Sequence, residues 1–258
     1  SIPLVLGMNK PQSSERDDYQ GLPPQNIGRV TNKGIDFEVS YNGTAGKVKY
    51  FIKGNMTFAR NKIIRIDEEG KKYDWQKKEG KRLGQHFGYT DIGLYQKEDF
   101  VLDANGELSL VGGFPVLKDG IPVPTMGVVY PGDCKYKDLN NDGVINSYDI
   151  GAIGKGLVPE INYGITLGAD WNNFDVNILF QGAGNADIYF NEDAIWEFRA
   201  NGKVMEHHLG RYNPEDPASW ETATYPRLHA SDNPNNHVKS TRWLYSRNYF
   251  RLKNLEIG

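Results

Sequence analysis

Hydrophobic and polar residues alternate along several segments of the chain, and the alternation has the two-residue period of a β-strand. In the run GIDFEVSYNG, bulky apolar residues share one face, and acidic or small residues occupy the positions between them. Such a period is typical of a strand with one apolar side. The apolar positions are Ile35, Phe37, Val39 and Tyr41. The pair Asn42-Gly43 then predicts a tight turn.

The next run, KVKYFIKGNMTFARN, resumes the alternation and completes a predicted antiparallel hairpin. One face carries lysine, asparagine and threonine, with Phe51 as the exception. The other face carries Val48, Tyr50, Ile52, Met56 and Phe58. We therefore expect a hairpin with one apolar and one polar side.

The same arrangement recurs in the second half of the chain. The runs NYGITLGADW and FDVNILFQG both alternate, and Asn172-Asn173 separates them as a predicted turn. Their apolar positions are Tyr163, Ile165, Leu167, Ala169, Trp171, Phe174, Val176, Ile178 and Phe180. A further segment, RNYFRLKNLEIG, is strand-like, but its alternation breaks near Asn254.

The connections between these predicted strands differ greatly in length. Two are short turns, whereas the others run from Asn61 to Glu160 and from Gly182 to Trp243. Because strand direction alternates, both short turns fall at one end of the sheet. Short turns at one end and long loops at the other indicate an outer-membrane β-barrel, with apolar faces toward lipid and polar faces toward a wet lumen. A soluble β-sandwich or lectin-like domain is the alternative.

Composition narrows the choice of function. The formal net charge of −3 argues against nucleic acid as a partner. No run approaches the roughly 18 apolar residues of a membrane-crossing helix. Aromatic residues make up 12% of the chain, which suits an all-β protein with aromatic girdles. Cys134 is the single cysteine, so an intrachain disulfide is impossible, and we interpret it as a small packed residue.

The segment DLNNDGVINSYD, residues 138–149, has the oxygen spacing of a calcium loop. Gly143 occupies the position where such a loop turns sharply, and Ile145 is predicted to pack inward. The predicted ligands are Asp138, Asn140, Asp142, Val144 through its carbonyl, Asn146 and Asp149. The flanking sequences do not suggest long amphipathic helices, so we expect a structural Ca²⁺ clip within an exposed loop. An Asx-rich turn without a metal is the alternative.

No other group of residues forms a recognisable catalytic motif. Glu206 with His207-His208 could suggest a metal site, but we interpret the pair as surface histidines whose side chains diverge. Trp171 and Trp243 lie at strand ends, where a membrane girdle would place them. The aromatic residues of the long connections are interpreted mainly as local loop packing; they are Trp75, Trp196, Trp220, Tyr212 and Tyr225. We therefore predict that the protein is not an enzyme.

An ordered succession of motifs spans nearly the whole chain. It comprises NIGRVTNKGIDFEVSYN, GQHFGYTDIGLYQ, PGDCKYKDLNNDGVINSYDIGAIG, PEINYGITLGADWNNFDVNILFQGAGN, YPRL and SRNYFRLKNLEIG. This succession resembles the C-terminal half of SusC/RagA-type TonB-dependent outer-membrane transporters of Bacteroidetes. The order of the motifs is more specific than any one of them.

The resemblance implies a large plugged barrel, and transporters of this kind have 22 strands. It also implies import of oligosaccharides or peptides driven by TonB, and a SusD-like surface lipoprotein that closes over the extracellular mouth. The plug and the TonB-contacting parts are expected outside this chain. We find no signal peptide at Ser1, and the chain stops within an apparent strand, so we expect an internal piece of a longer protein.

These observations lead to one main hypothesis and two alternatives. In the first, residues 1–258 are part of an all-β, antiparallel outer-membrane barrel that imports glycan or peptide, with long extracellular loops that contain the calcium loop at residues 138–149. Five strands cannot close a barrel, so this part alone is not expected to transport anything. The second is a secreted, calcium-stabilised carbohydrate-binding β-domain. An enzyme is the third and least favoured, because no catalytic constellation is present.

Overall fold

The computed structural model describes residues 2–6, 25–199 and 202–258 of the chain. Strands and short 3-10 helices make up its regular structure, and the described part contains no α-helix. The strands are β1 Ile2–Leu6, β2 Gln25–Ala45, β3 Val48–Arg65, β4 Gln85–Gly88, β5 Asp91–Leu94, β6 Leu110–Val111, β7 Phe114–Pro115, β8 Val123–Pro124, β9 Cys134–Tyr136, β10 Val144–Ile145, β11 Gly151–Gly156, β12 Ile161–Trp171, β13 Phe174–Gly184, β14 Asp187–Tyr189, β15 Leu244–Ser246 and β16 Tyr249–Ile257. The 3-10 helices are Asp74–Gln76, Lys97–Asp99, Ser147–Asp149, Glu192–Ala194, Glu206–Gly210, Pro217–Ser219 and Thr241–Trp243.

Six strands form one sheet in the order β1-β2-β3-β12-β13-β16, and every neighbouring pair is antiparallel. The five strands predicted from alternation are β2, β3, β12, β13 and β16, so that prediction is confirmed. Strand β1 was not predicted. Both short turns lie at one end of the sheet, because Val48 pairs with Ala45 on one side and with Trp171 on the other.

The two turns differ in how well sequence predicted them. The second is confirmed: Trp171 pairs with Phe174, and Asn172 adopts a φ of 54°. The first was placed wrongly, because β2 continues through Asn42-Gly43 and the chain reverses at Gly46, whose φ is 61°. Gly43 instead pairs with Tyr50, whose ring occupies the space beside the glycine. The continued strand ladder outweighs the local turn preference.

The break in alternation near Asn254 is a β-bulge. Leu179 pairs with Asn254 and Phe180 pairs with Leu252, so Lys253 has no partner on β13. An extra residue in one strand shifts its side-chain parity by one position. Leu255 therefore shares the face of Leu252 although the two are three residues apart.

The chain divides into two compact units. The sheet unit comprises the described residues of Ser1–Gln85, Lys155–Ile188 and Ser246–Gly258. The loop unit comprises those of His86–Gly154 and Tyr189–Tyr245, which belong to the two long connections. The loop unit has its own hydrophobic clusters, whose buried members are Tyr89, Cys134, Tyr136 and Ile145; Tyr95, Phe100 and Val129; and Ile195, Tyr225 and Trp243.

Candidate functional site

The apolar face of the sheet is exposed rather than buried against a second layer. Ile35 is 66% exposed, Phe37 59% and Tyr41 61%. In a soluble sandwich these positions would form the core. The prediction of strands with one apolar face is confirmed, and among the described residues no second layer covers this face.

The apolar positions of neighbouring strands stand in register. Pairing aligns Phe37 with Met56, Met56 with Tyr163, and Tyr163 with Gly182. A second row contains Tyr41, Ile52, Leu167, Ile178 and Leu255. One surface, here called the apolar band, therefore crosses five strands. The other residues of this surface are aligned across the strands by the same register.

The height of the apolar band can be compared with that of a membrane. On β3 the band extends from Val48 to Phe58, which is about ten residue steps, or about 34 Å along a strand. Strands of outer-membrane barrels tilt by about 35–45°, which reduces this length to a height of about 25 Å. That is the height of the outward apolar band of such barrels.

The opposite face of the sheet is polar, as predicted. Glu38 and Lys53 form an exposed ion pair at 3.1 Å across β2 and β3, on diagonal positions, since Glu38 pairs with Asn55 and Lys53 with Ser40. Phe51, the exception noted in the sequence, pairs with Gly168. A Cβ atom at Gly168 would collide with the Phe51 ring, so the ring covers the glycine. An aromatic residue is therefore accommodated on this face by the absence of a side chain beside it.

The calcium-type loop folds around its first and last residues. The Asp138 carboxylate accepts backbone N–H bonds from Asn141 at 2.6 Å and Gly143 at 2.8 Å. Asp149 is fully buried and accepts bonds from Leu139 at 2.8 Å and Asn146 at 2.9 Å. These bonds close residues 138–149 into a compact loop.

The middle of the loop is organised by Asn140 and Asp142. Asn140 Nδ2 donates to Asp142 Oδ2 at 2.8 Å, and Asp142 Oδ1 accepts the Val144 N–H at 3.0 Å. Gly143 turns with a φ of 81°. Ile145 is fully buried in the cluster with Tyr136, so its predicted inward packing is confirmed.

The surroundings of the loop differ from a helix pair. Strand β9 precedes it, and the 3-10 helix Ser147–Asp149, capped by the Asn146 side chain, closes it before β11. Within the described part, no three His, Cys, Asp or Glu side chains are grouped as metal ligands. A Ca²⁺ ion here would therefore need amide and carbonyl oxygens from Asn140, Val144 and Asn146 besides carboxylates.

The loop unit also contains a buried histidine–carboxylate network that sequence reasoning missed. Glu197 Oε2 accepts bonds from the Tyr225 hydroxyl at 2.7 Å and from His237 Nε2 at 3.1 Å. His237 Nδ1 lies 2.7 Å from Asp232 Oδ1, and the Trp196 ring stacks on the imidazole at 4.6 Å. A carboxylate at each ring nitrogen favours the imidazolium form of His237.

The pKa values in this network follow from burial and hydrogen bonding. Burial opposes ionisation of Glu197, but the bonds from His237 and Tyr225 prevail and lower the pKa of its carboxyl to about 2. Burial also disfavours charge on His237, yet its bonds to Glu197 and Asp232 raise the pKa of the imidazole above its usual value. Each partner therefore stabilises the charged form of the other.

A second buried carboxylate joins the two segments of the loop unit. Asp133 is fully buried, and its Oδ1 lies 2.6 Å from His229 Nε2 and accepts Asn236 Nδ2 at 2.9 Å and Asn233 Nδ2 at 3.2 Å. Asp133 lies in the PGDCKYKD run, and its partners lie about 100 residues away in sequence. Sequence gave no signal of this pairing, because it depends on long-range folding.

Several minor predictions need correction. His208 is 2% exposed, and both His207 and His208 direct Nε2 to the Ile195 carbonyl, at 3.1 and 3.0 Å, so they neither diverge nor form a surface pair. Trp243 is buried in the loop unit and is not a girdle residue, because its Nε1 donates to the Asn236 carbonyl. Trp171, at 53% exposure, does lie on the apolar band.

Comparison with known proteins places these features in a family context. No protein-family model matches the chain. TonB-dependent receptor P3 of Formosa agariphila is 25% identical over 260 residues, covering 93% of this chain and 23% of the relative. TonB-dependent receptor P39 of the same species is 23% identical over 252 residues, covering 90% and 24%. The chain therefore spans about a quarter of the length of these curated relatives.

Solved structures share the fold. The RagAB peptide importer in its open-open state aligns with a TM-score of 0.61 and 15% identity, covering 99% of this chain and 24% of that one. The closed-closed state gives 0.57 and 17%, covering 91% and 23%. The all-β class and the partial antiparallel barrel are confirmed. Among the described residues, no helix has the length and apolar character needed to cross a membrane.

Proposed function

Because this chain resembles part of a SusC/RagA-type TonB-dependent receptor, we propose that it forms part of the wall of an outer-membrane importer. The observation that carries the proposal is the exposed apolar band, which crosses five strands at about the height of a membrane's apolar interior. In this role the band contacts lipid, and the polar face of the sheet faces the interior of the barrel. The relatives named above are receptors and importers, which supports a non-enzymatic role.

The proposed cargo is an oligosaccharide or a peptide. The family resemblance favours glycans, whereas the solved structures that share the fold are of a peptide importer. The polar face carries both charges, in Glu38 and Lys53, together with amides such as Asn55. Such groups can hydrogen-bond to sugar hydroxyls and to peptide groups alike.

The proposed partners follow from the topology. The strand ends that lead into the long connections lie at one end of the sheet, since Ile161 pairs with both Phe58 and Gly184. We place this end outside the cell, where the loops would meet a SusD-like lipoprotein and the cargo. The TonB complex would act through N-terminal parts of the complete receptor.

A structural Ca²⁺ ion in residues 138–149 forms part of the proposal. Two features of the loop support this ion. The Asp138 carboxylate accepts the Gly143 N–H at the sharp turn, and the last residue of the loop, Asp149, is buried. A carboxylate has about four acceptor sites, so hydrogen bonds from backbone N–H groups leave capacity for a cation. The ion would hold the turn shape within the loop unit.

The secreted carbohydrate-binding domain is the weaker alternative. A soluble protein of this kind would expose an apolar surface across five strands to water, far beyond the patches that monomeric soluble proteins show. It would be favoured only if a second layer covered the apolar band.

The test uses nitroxide labels on single cysteines in the complete receptor, reconstituted in lipid vesicles, in a background in which Cys134 is replaced by alanine. Labels at Ile35, Phe37, Val176 and Phe180 report on the apolar band. Matched controls at Asp36 and Thr57 report on the opposite face. We expect collisions with dissolved oxygen to dominate at the first set and collisions with a water-soluble nickel chelate at the second. Equal nickel accessibility on both faces would falsify the membrane assignment.

A further inference from the structure

The face that carries the apolar band changes character abruptly beyond its last apolar row. Ile35 pairs with Phe58, and the next residues of the same face are the paired Lys33 and Arg60. The following pair is Thr31 with Lys62. The Arg60 guanidinium lies 5.5 Å from the centre of the Phe58 ring, which places the charge directly beside the apolar band.

A second arginine joins this row from a neighbouring segment. Arg82 Nε lies 3.0 Å from Glu160 Oε1, while Arg60 donates to both oxygens of the same carboxylate at 2.8 and 2.7 Å. The Asn185 side chain also donates to Glu160. Three contacts to one buried carboxylate, two from Arg60 and one from Arg82, fix both guanidinium groups in place.

The segment that carries Arg82 runs beside the part of β3 that lies beyond the first residue of β12, Ile161. Ile63 donates its N–H to the Lys81 carbonyl and accepts the Gly80 N–H, both at 2.8 Å. Leu83 donates to Asn61 Oδ1 at 2.6 Å. Arg82 is thus held by backbone pairing to the same strand that bears Arg60, so the two positions form one preorganised site.

Cationic side chains are concentrated in this region. The cationic patch, defined as Lys33, Arg60, Lys62 and Arg82, carries four positive charges, and its two arginines share one carboxylate, that of Glu160. Lys33 and Lys62 are exposed, and within the described part neither forms an ion pair. Their ammonium groups are therefore available to an anion at this surface.

We propose that the cationic patch binds the phosphate of an anionic lipid whose acyl chains lie on the apolar band. This inference rests on the proposed function, because it needs the band to face lipid. Guanidinium groups match phosphate oxygens in geometry, and each cation near a membrane surface strengthens attraction to anionic lipid. A free phosphate ion would not explain why the cations adjoin the last apolar row; a head group with chains attached does.

The test uses the complete receptor purified in an uncharged detergent. The probe is lipid A bearing two phosphates, compared with the same lipid after phosphate removal, and with inorganic phosphate as a competitor. The variant is Lys33→Gln with Lys62→Gln, which spares the arginines bonded to Glu160. The matched control is Lys47→Gln with Lys49→Gln, which removes the same charge from the short-turn end.

We expect the patch variant to bind diphosphorylated lipid A about tenfold more weakly than the control, and the dephosphorylated lipid to bind the unsubstituted protein as weakly as the variant does. Displacement of the lipid by millimolar inorganic phosphate would overturn the lipid assignment in favour of a free-phosphate site. Equal affinity of variant and control would overturn the patch itself. If spin labels show lipid contact while this test fails, only this inference is lost.

Discussion

The aromatic ring of Phe51 on β3 covers Gly168 on β12, its register partner on the polar face of the sheet. The same device operates on the apolar band, where the Tyr163 ring covers Gly182. In both pairs a glycine makes room for the aromatic ring of the adjacent strand. Such pairs fix strand register, because a shift would place a side chain against the ring.

Substitution of Gly168 by alanine is predicted to destabilise the sheet. The new Cβ would overlap the Phe51 ring, and overpacking of this kind costs about 1–3 kcal/mol. The measurement is the temperature at which the complete receptor loses its folded mobility in gel electrophoresis. Gly54→Ala is the control, because its Cβ would meet only Val39 Cγ1 at 3.7 Å. If both variants lose their folded mobility at the same temperature, the Phe51 ring does not constrain position 168.

Loss of the Asp91–Arg242 pair is predicted to destabilise the loop unit. Arg242 donates to both Asp91 oxygens at 3.0 and 2.9 Å, and the two side chains are only 15% and 13% exposed. Asp91→Asn leaves a nearly buried guanidinium without its counter-charge, which costs about 3–5 kcal/mol.

Limited proteolysis of the intact receptor measures this effect as faster cleavage within the loop unit. The control is Glu38→Gln, which breaks an ion pair whose side chains are 60% and 43% exposed. An exposed pair contributes less than about 1 kcal/mol, so cleavage should stay unchanged. Similar cleavage rates in the two variants would show that burial does not strengthen the Asp91 pair.

The stability of the loop unit is predicted to depend on pH through Glu197 and His237. The pKa of Glu197 is lowered from 4.5 to about 2, so its contribution is complete above 4.5 and disappears as the pH falls toward 2. The pKa of His237 is raised from 6.5, so its contribution is complete below 6.5 and is lost as the pH rises through the higher folded value. Protection of the backbone amides from hydrogen exchange should therefore be greatest between pH 4.5 and pH 6.5, the ordinary pKa values of the two groups.

Hydrogen exchange of peptides around Glu197 and His237, corrected for intrinsic rates, measures this protection. His237→Gln should remove the decline on the alkaline side, since amide side chains do not titrate. His86→Gln lies in the same unit outside the network and should leave the profile intact. An unchanged alkaline decline in His237→Gln would assign it to another group.

Calcium affinity is predicted to depend on the carboxylates of residues 138–149. Asp142→Ala should weaken Ca²⁺ binding at least tenfold in titration calorimetry, because it removes a hard oxygen ligand. The control Asp119→Ala removes one charge from another exposed part of the loop unit. Equal affinity of the Asp142 variant and the unsubstituted receptor would exclude Asp142 from the site.

The sequence determined five of the six strands of the large sheet, their two faces and the similarity to a receptor family, because side-chain alternation is a local property of β-structure. It also located a break in alternation near Asn254, but only strand pairing identified that break as a β-bulge at Lys253. The turn at Gly46 was missed because cross-strand pairing of Asn42-Gly43 overrides the turn preference of that dipeptide.

Only the tertiary structure showed how the long connections fold and where charges meet. Asp133 and its partners, or Arg60 and Glu160, are about 100 residues apart in sequence, and no local pattern links them. Their pairing arises because burying a carboxylate requires donors, and folding brings those donors from wherever the chain passes. Local periodicity therefore specified the large sheet, whereas long-range burial decided the structure of the loop unit and the position of the cationic patch.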